Sequence, residues 1–469
     1  MQSCRPAAIF NLPRSIRVPT ELAFTERSRP LRSSDGDVTS TDSRANGFSA
    51  RAAGLVPDAV ARRLAVLENP GFRRLLVGRG VSKFGDGLYS VAAMWLVYDL
   101  TGSTAYTGLA GMLTRAPGAF KLLAGPLVDR ARLGRVLTLS EVAQGLVVLA
   151  VPVAATLGHL SVAVVLAAMP LLALCNLFAG PAQTAALPRL VDEDRMVRAN
   201  SVASIVSKSV DATSRAVAGA LVAFAGGVAV YVVDAVTFAV AALTFAVLSV
   251  PARAPPDDDL ALGSYLADLR GGLALLADSL AGRMLVASLF ANFLTGVALA
   301  VLPAFAAALG GPATYGLLLA GTTVGVLVGS AAASAVDELP MGYTTVVGFV
   351  ASSALWTGAV AVPGVVATVA LFAASRVPLG VYNVSAMATV QTGVPDDLLG
   401  RVSAAIGSAT SVVMPAGMLL GGLAGERFGS ETVMLLGGLG TALAAAYWFA
   451  VPSLRRFGPP TAVTSGEFG

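Results

Sequence analysis

The chain is poor in charge, has three lysines in 469 residues and holds a single histidine, His159. Only 13% of its residues are charged, 55% are hydrophobic, and the mean hydropathy is +0.74. A soluble domain is about a quarter charged, so this composition cannot cover a water-facing surface. The bilayer is the solvent. The two cysteines, Cys4 and Cys175, lie in a polar tail and in an apolar run, which excludes a disulfide framework. With so few His and Cys residues, zinc and haem sites are excluded, and neither a metal nor another cofactor is expected. A Walker turn, a nucleophile elbow and a soluble domain able to use ATP are also lacking, so the chain does not read as an enzyme. The net charge of +4 comes from arginines at the ends of apolar runs, which points to membrane orientation and not to nucleic acid.

What the sequence does have is one apolar run after another between Leu75 and Pro452. A hydrocarbon core about 30 Å thick needs roughly 20 apolar residues per helix. Spans are expected near 75–99, 104–128, 136–157, 160–182, 202–226, 228–250, 284–309, 313–335, 343–361, 364–387, 402–424 and 431–452. That makes an all-α membrane protein of twelve helices in two six-helix halves, 69–250 and 284–452. Residues 1–68 are rich in Ser, Arg, Thr, Pro and Asp and are expected to form a disordered tail. An organellar transit peptide and a start codon placed too far upstream are both open for its first residues. Residues 251–283 form the linker between halves, and 453–469 a second tail.

Arginines set the orientation. With the N-terminus in the cytoplasm, the inner turns hold Arg130, Arg132, Arg135, Arg189, Arg195, Arg198, Arg253, Arg270, Arg283 and Arg401, and the outer turns hold only Arg427. Both termini are therefore expected in the cytoplasm, and the chain in the cell membrane. The halves also repeat. Gln183-Thr184, Pro188, acids and Arg198 precede span 5; Gln391-Thr392, Pro395, Asp396-Asp397 and Arg401 precede span 11, with Gln391 lying 208 residues after Gln183. Six helices preserve orientation, as in the parallel repeat of major facilitator proteins.

Six stretches carry a family resemblance. Phe72-Arg73-Arg74, Phe84-Gly-Asp86-Gly-Leu-Tyr89 and Trp95-Leu-Val-Tyr-Asp99-Leu-Thr-Gly-Ser103 resemble the opening of one major facilitator branch, that of macrolide-efflux and enterobactin-exporter types. So do the turn Gly125-Pro-Leu-Val-Asp129-Arg130-Ala-Arg132-Leu-Gly-Arg135, the Ala179–Gln183 segment and Val394-Pro-Asp-Asp-Leu398 with Gly400-Arg401. The resemblance covers roughly 70–455 and implies a secondary transporter that works by alternating access. It implies proton-coupled efflux of a drug-like or siderophore-like compound, with protons and the lipid bilayer as partners and a functional monomer. One departure weakens export over import: span 5 lacks the Gly-Pro pair usual in exporters, having Arg215-Ala-Val-Ala218-Gly219 instead. Import, uniport, and a non-transporting membrane sensor or scaffold are the alternatives.

Several residues are candidates for the mechanism. Asp129, at the inner end of span 2, can face the positive N-terminus of span 11 near Arg401. Gly125, Asp129, Arg130, Arg135 and Arg401 thus form a candidate gate, against the plainer reading of arginines as topology signals. Ionisable groups within spans cost several kcal/mol unless they meet a cavity or a partner. Lys83 and Asp86, and Lys208 and Asp211 with Arg215, are spaced Lys-x-x-Asp, which sets each pair on one helix face. Lys208 is expected to snorkel to the interface. Asp86, about 16 Å into span 1, is the first candidate for proton coupling, with Lys83, Asp211 and Arg215 beside it. Asp234 reads as structural. Spans 1, 4, 7 and 10 line the cavity in the family, so Tyr89, Asn176, Asn292, Arg376 and Asn383 are candidate substrate contacts, with ordinary interhelical bonding as the alternative; Arg376 and Asn383, seven apart, are expected to share a face. Glycine rows Gly316–Gly329 and Gly407–Gly425, facing Gly111, Gly118 and Gly219, suit close sliding contact.

Overall fold

The computed structural model describes residues 65–120, 128, 131–251, 270, 271, 274, 276 and 279–462. All regular structure among them is helical. The helices are α1 (Pro70–Thr101), α2 (Thr104–Arg115), α3 (Leu133–Thr156), α4 (Val162–Leu190), α5 (Met196–Ala225) and α6 (Gly227–Ala246). After the linker come α7 (Leu280–Leu309), α8 (Pro312–Ala332), α9 (Met341–Ala361), α10 (Val365–Ala374), α11 (Val377–Gly393), α12 (Asp396–Phe428), α13 (Ser430–Ala450) and the single turn α14 (Pro452–Arg455). Among the described residues, nine helical stretches are long and apolar enough to cross a membrane. α1 and α5 fall outside that group because charged and polar side chains run through their middles, and α2 because its described part is short.

Local chemistry fixes the ends. Asn69 caps α1, its side-chain oxygen accepting from the Gly71 and Phe72 amides at 2.9 and 3.1 Å, while its Nδ2 donates to Leu190 O at 2.6 Å. Pro70 sits in the first turn, where a missing N–H costs nothing. At the other end Gly102, at φ 64°, takes the left-handed conformation that closes the helix. Ser103 then caps α2.

The tenth expected span is not continuous. The helix stops at Ala374 and restarts at Val377, with Pro378 in the new first turn. Proline cannot donate within a helix and disfavours helical backbone before it. Ser375 fills the break: its Oγ donates to Phe372 O at 2.6 Å, and its carbonyl accepts from Ser352 Oγ at 2.6 Å.

α1 packs on α5 and α6, and α3 on α4 and α6; α7 packs on α12 and α13, and α9 on α13. Two further pairings, α2 with α12 and α5 with α8, join the first six helices to the later ones. Trp356, Trp448, Tyr231 and Phe238 are fully buried, whereas Phe224 is 92% exposed and Leu139, Leu146 and Val366 are also open. Apolar side chains on the outside need an apolar solvent. Much of tail 1–68, linker 251–283 and tail 453–469 lies outside the described residues.

Candidate functional site

One end of the bundle is closed by contacts between α2 and α12 and between α5 and α8. A Cβ on Gly219 would lie 2.7 Å from Gly316 Cα, and one on Gly108 2.9 Å from Gly422 Cα. Only hydrogen side chains allow backbones so near. Hydrogen bonds from α2 and its cap reach α12 and α7 at the same end. Thr104 Oγ1 donates to Gly422 O at 2.9 Å, Ser103 Oγ to Glu426 Oε2 at 2.7 Å, and Thr107 Oγ1 to Ala300 O at 2.6 Å. Each hydroxyl belongs to the first turn of α2 or its cap.

Beyond this closed end lies a cavity of about 690 Å³ between the two groups of helices. The first group contributes Lys83, Asp86, Tyr89, Asn176, Asp211 and Arg215, and α12 contributes residues between Ser403 and Pro415. Asp86 faces it with weak partners: Asn176 Nδ2 reaches its two oxygens at 3.4 and 3.5 Å. Lys83 stands nearby without a direct ion pair among the described residues. Asp211 is held firmly. Arg215 Nε and a terminal guanidinium nitrogen each donate to it at 3.2 Å, and Thr323 Oγ1 from α8 donates at 3.2 Å. Two acids in one cavity thus differ in availability.

Of the expected coupling residues, Lys83, Asp86, Asp211 and Arg215 all line the cavity. The expected pairing changes: Asp211 bonds Arg215 at i,i+4 and not Lys208, which is exposed. The planar guanidinium can grip both carboxylate oxygens, which an ammonium cannot. Of the expected substrate contacts, Tyr89 and Asn176 line the cavity; Asn292, Arg376 and Asn383 do not. Asn292 donates to Ser288 O at 2.9 Å. Arg376 and Asn383 do not share a face, because Arg376 sits at the helix break, 5% exposed, while Asn383 is exposed. Of the expected gate, Gly125, Asp129 and Arg130 lie outside the described residues, and Arg135 and Arg401 are exposed.

The glycine rows divide their work. Gly316 and Gly422 face the first six helices, but Gly417 and Gly421 meet α7 at Phe293 and Val297, and Gly325 and Gly329 receive the backbone of α10 and α11. Gly108, not among the expected glycines, makes the α2 contact.

Sequence reasoning missed two charged residues. Arg115 lines the cavity within the second expected span. Glu141, in the middle of the third, is fully buried, and neither of its carboxylate oxygens has a well-formed hydrogen-bond partner, although the Ser82 hydroxyl is close by. It faces Asp86 and Asp234. Asp234, fully buried, accepts from Thr237 Oγ1 at 3.2 Å, and α1 approaches it at Gly85, where any Cβ would strike Thr237 and Asp234. A charge inside an apolar run was the available signal for both.

A family profile described as transmembrane secretion effector, within the major facilitator superfamily, matches residues 61–458. The chain belongs to that family. It is a transporter of the major facilitator type and a multi-pass membrane protein, with a small molecule as substrate. Comparison with curated protein sequences gives no match. Among solved structures it resembles a nucleoside transporter (TM-score 0.64, 14% identity, 81% of this chain and 98% of that one). It also resembles a bacterial homolog of the human lysosomal transporter Spinster in an inward-facing, unoccupied conformation (TM-score 0.62, 13% identity, 82% and 97%). A bacterial homologue of the iron transporter ferroportin, inward-facing, aligns with TM-score 0.59 at 17% identity, over 81% and 99%. At such identities the likeness concerns the fold.

Proposed function

We propose that this family member exports a small amphiphilic molecule, drug-like or siderophore-like, across the cell membrane in exchange for protons. The observation that carries the proposal is the contrast between two acids in one cavity. Asp211 is locked by Arg215 and Thr323, whereas Asp86 has only a long contact to Asn176. A carboxylate that can take and lose a proton without breaking an ion pair is the natural carrier. Protonation removes its charge, so each conformation favours one form. Lys83 and Arg115, cations without an ion pair among the described residues, favour a substrate that carries hydrogen-bond acceptors or an anionic group.

Alternating access supplies the cycle. The twelve expected spans, α10 and α11 forming one, make two six-helix halves that rock about the cavity. The closed end carries the α1–α2, α5–α6, α7–α8 and α12–α13 turns; the opposite end carries Arg132, Arg189 and Arg401. Read by the arginine rule the latter is cytoplasmic, so this arrangement is inward-facing with both termini in the cytoplasm; a cavity lined within one chain suits a working monomer.

Flux of substrate across an imposed pH gradient in proteoliposomes tests the proposal. The wild type concentrates substrate only with the gradient, and Asp86→Asn loses accumulation while keeping downhill exchange. Accumulation insensitive to pH makes the protein a uniporter or couples it to another ion. If Asp86→Asn still accumulates substrate, the carrier is another acid, and Asp211 is tested next.

A further inference from the structure

We propose that the later helices hold a buried site for a monatomic anion, of chloride or bromide size, in the small cavity beside Arg376 and Trp356. This site is separate from the transport cavity and independent of the function proposed above.

Arg376 enters the bundle at the α10–α11 break and is 5% exposed. Its guanidinium carbon lies 4.0 Å from the centroid of Trp356 and 4.5 Å from that of Phe372. Aromatic faces offset only part of what a buried cation loses on leaving water. No carboxylate pairs with it among the described residues. Its Nε has no hydrogen-bond partner, and neither does the indole Nε1 of Trp356, 1% exposed. Two orphaned buried donors beside each other are uncommon in proteins.

Both residues line a cavity of about 20 Å³ enclosed by α7, α9, α11 and α13. That volume holds one water-sized species. Three hydroxyls also line it, but each donates elsewhere: Ser352 to Ser375 O at 2.6 Å, Thr295 to Ala291 O at 2.8 Å and Thr441 to Gly437 O at 3.2 Å. Arg376 and Trp356 therefore have protons to give, and one of them is a full positive charge. A water would satisfy the donors and leave that charge uncompensated. A small anion satisfies both.

The test uses the purified full chain, dialysed into sodium gluconate and titrated with chloride or bromide at constant ionic strength. The melting temperature should rise saturably with either halide, because a ligand of the folded state stabilises it by mass action. Bromide should quench tryptophan emission in the wild type, Trp95→Phe and Trp448→Phe, and far less in Trp356→Phe. Arg376→Gln should abolish the saturable rise. Trp356→Phe, which keeps an aromatic face and loses the N–H, should weaken half-saturation about tenfold, the worth of one hydrogen bond to a charged group. Should Arg376→Gln fail to fold, Trp356→Phe decides alone. Equal melting temperatures in gluconate, chloride and bromide mean that the cavity holds only water and overturn the proposal. A halide response unchanged in either variant overturns it too.

Discussion

Ser103 Oγ donates a 2.7 Å hydrogen bond to Glu426 Oε2, tying the cap of α2 to the last turn of α12 across 323 residues of sequence. The same oxygen receives the Ala105 amide and Thr104 Oγ1, each at 3.4 Å. A carboxylate thus sits at the positive end of α2, where an exposed anion is worth about 0.3–1 kcal/mol before salt screening. Because the contact joins α2 to α12 across the closed end, opening that end would break it.

Glu426→Ala should therefore favour opening at that end about two- to fivefold at low salt. The measurement is labelling of a single cysteine introduced at Thr410, on the cavity wall, by an impermeant thiol reagent applied from that side. Faster labelling that disappears in high salt fits an electrostatic latch. An unchanged rate denies Glu426 any part in closure.

The glycine contacts should matter more. A methyl on Gly219 meets the Gly316 backbone, which cannot rotate aside, and overpacking costs about 1–3 kcal/mol. Gly219→Ala should shift the balance toward the open end by about five- to 150-fold, read with the same introduced cysteine. Gly180→Ala, which meets nothing within 4 Å, is the control. Equal behaviour of the two variants would show that the closed contact has slack.

The helices and both cavity acids were legible in the sequence because each rests on a local signal. Apolar run length gave the spans, and a charge inside a run marked Asp86 and Asp211. The failures concern helix rotation, which no single span records. Arg376 turns away from the cavity because the helix breaks before Pro378 and because Gly325 and Gly329 admit the α10–α11 backbone. Which helix a glycine faces is likewise settled by its partner: Gly417 serves α7, and Gly422, five residues on, serves α2.

Asp211 and Arg215 should behave as a unit. Their side chains are 18% and 23% exposed, so removing one partner leaves the other poorly solvated. Asp211→Ala and Arg215→Ala should each lower the melting temperature more than the double variant does, with a coupling of about 0.5–3 kcal/mol. Strict additivity would mean that solvent in the cavity already screens both charges.

Glu141 calls for a different test. A fully buried carboxyl whose oxygens lack a well-formed partner costs several kcal/mol when ionised, and Glu141→Gln keeps the shape without an ionisable group. The variant should melt at or above the wild-type temperature, while Glu141→Lys should not accumulate in membranes. If Glu141→Gln is stable but loses proton-driven accumulation, the acid takes part in coupling together with Asp86. If it is destabilised, Ser82 or a partner outside the described residues holds the carboxylate.

The last prediction concerns Asp129, which lies outside the described residues; the sequence places it at the inner end of the second expected span, facing the start of span 11. There the roles would reverse: an acid ending the second expected span would cap α12, as Glu426 of α12 caps α2. The two contacts then compete, each holding one end closed, and a transporter alternates by exchanging them. Asp129→Asn should accordingly move the labelling of the introduced cysteine opposite to Glu426→Ala, lowering its reactivity from the closed side described above. A partly buried anion at a helix start is worth up to about 2 kcal/mol, so the shift reaches roughly thirtyfold at that limit. Transport should fall far more than expression, because the protein is stable in either state and slow to leave one. Combining the two substitutions should restore part of the balance. If Asp129→Asn leaves labelling and flux unchanged, the arginines of that turn serve orientation alone.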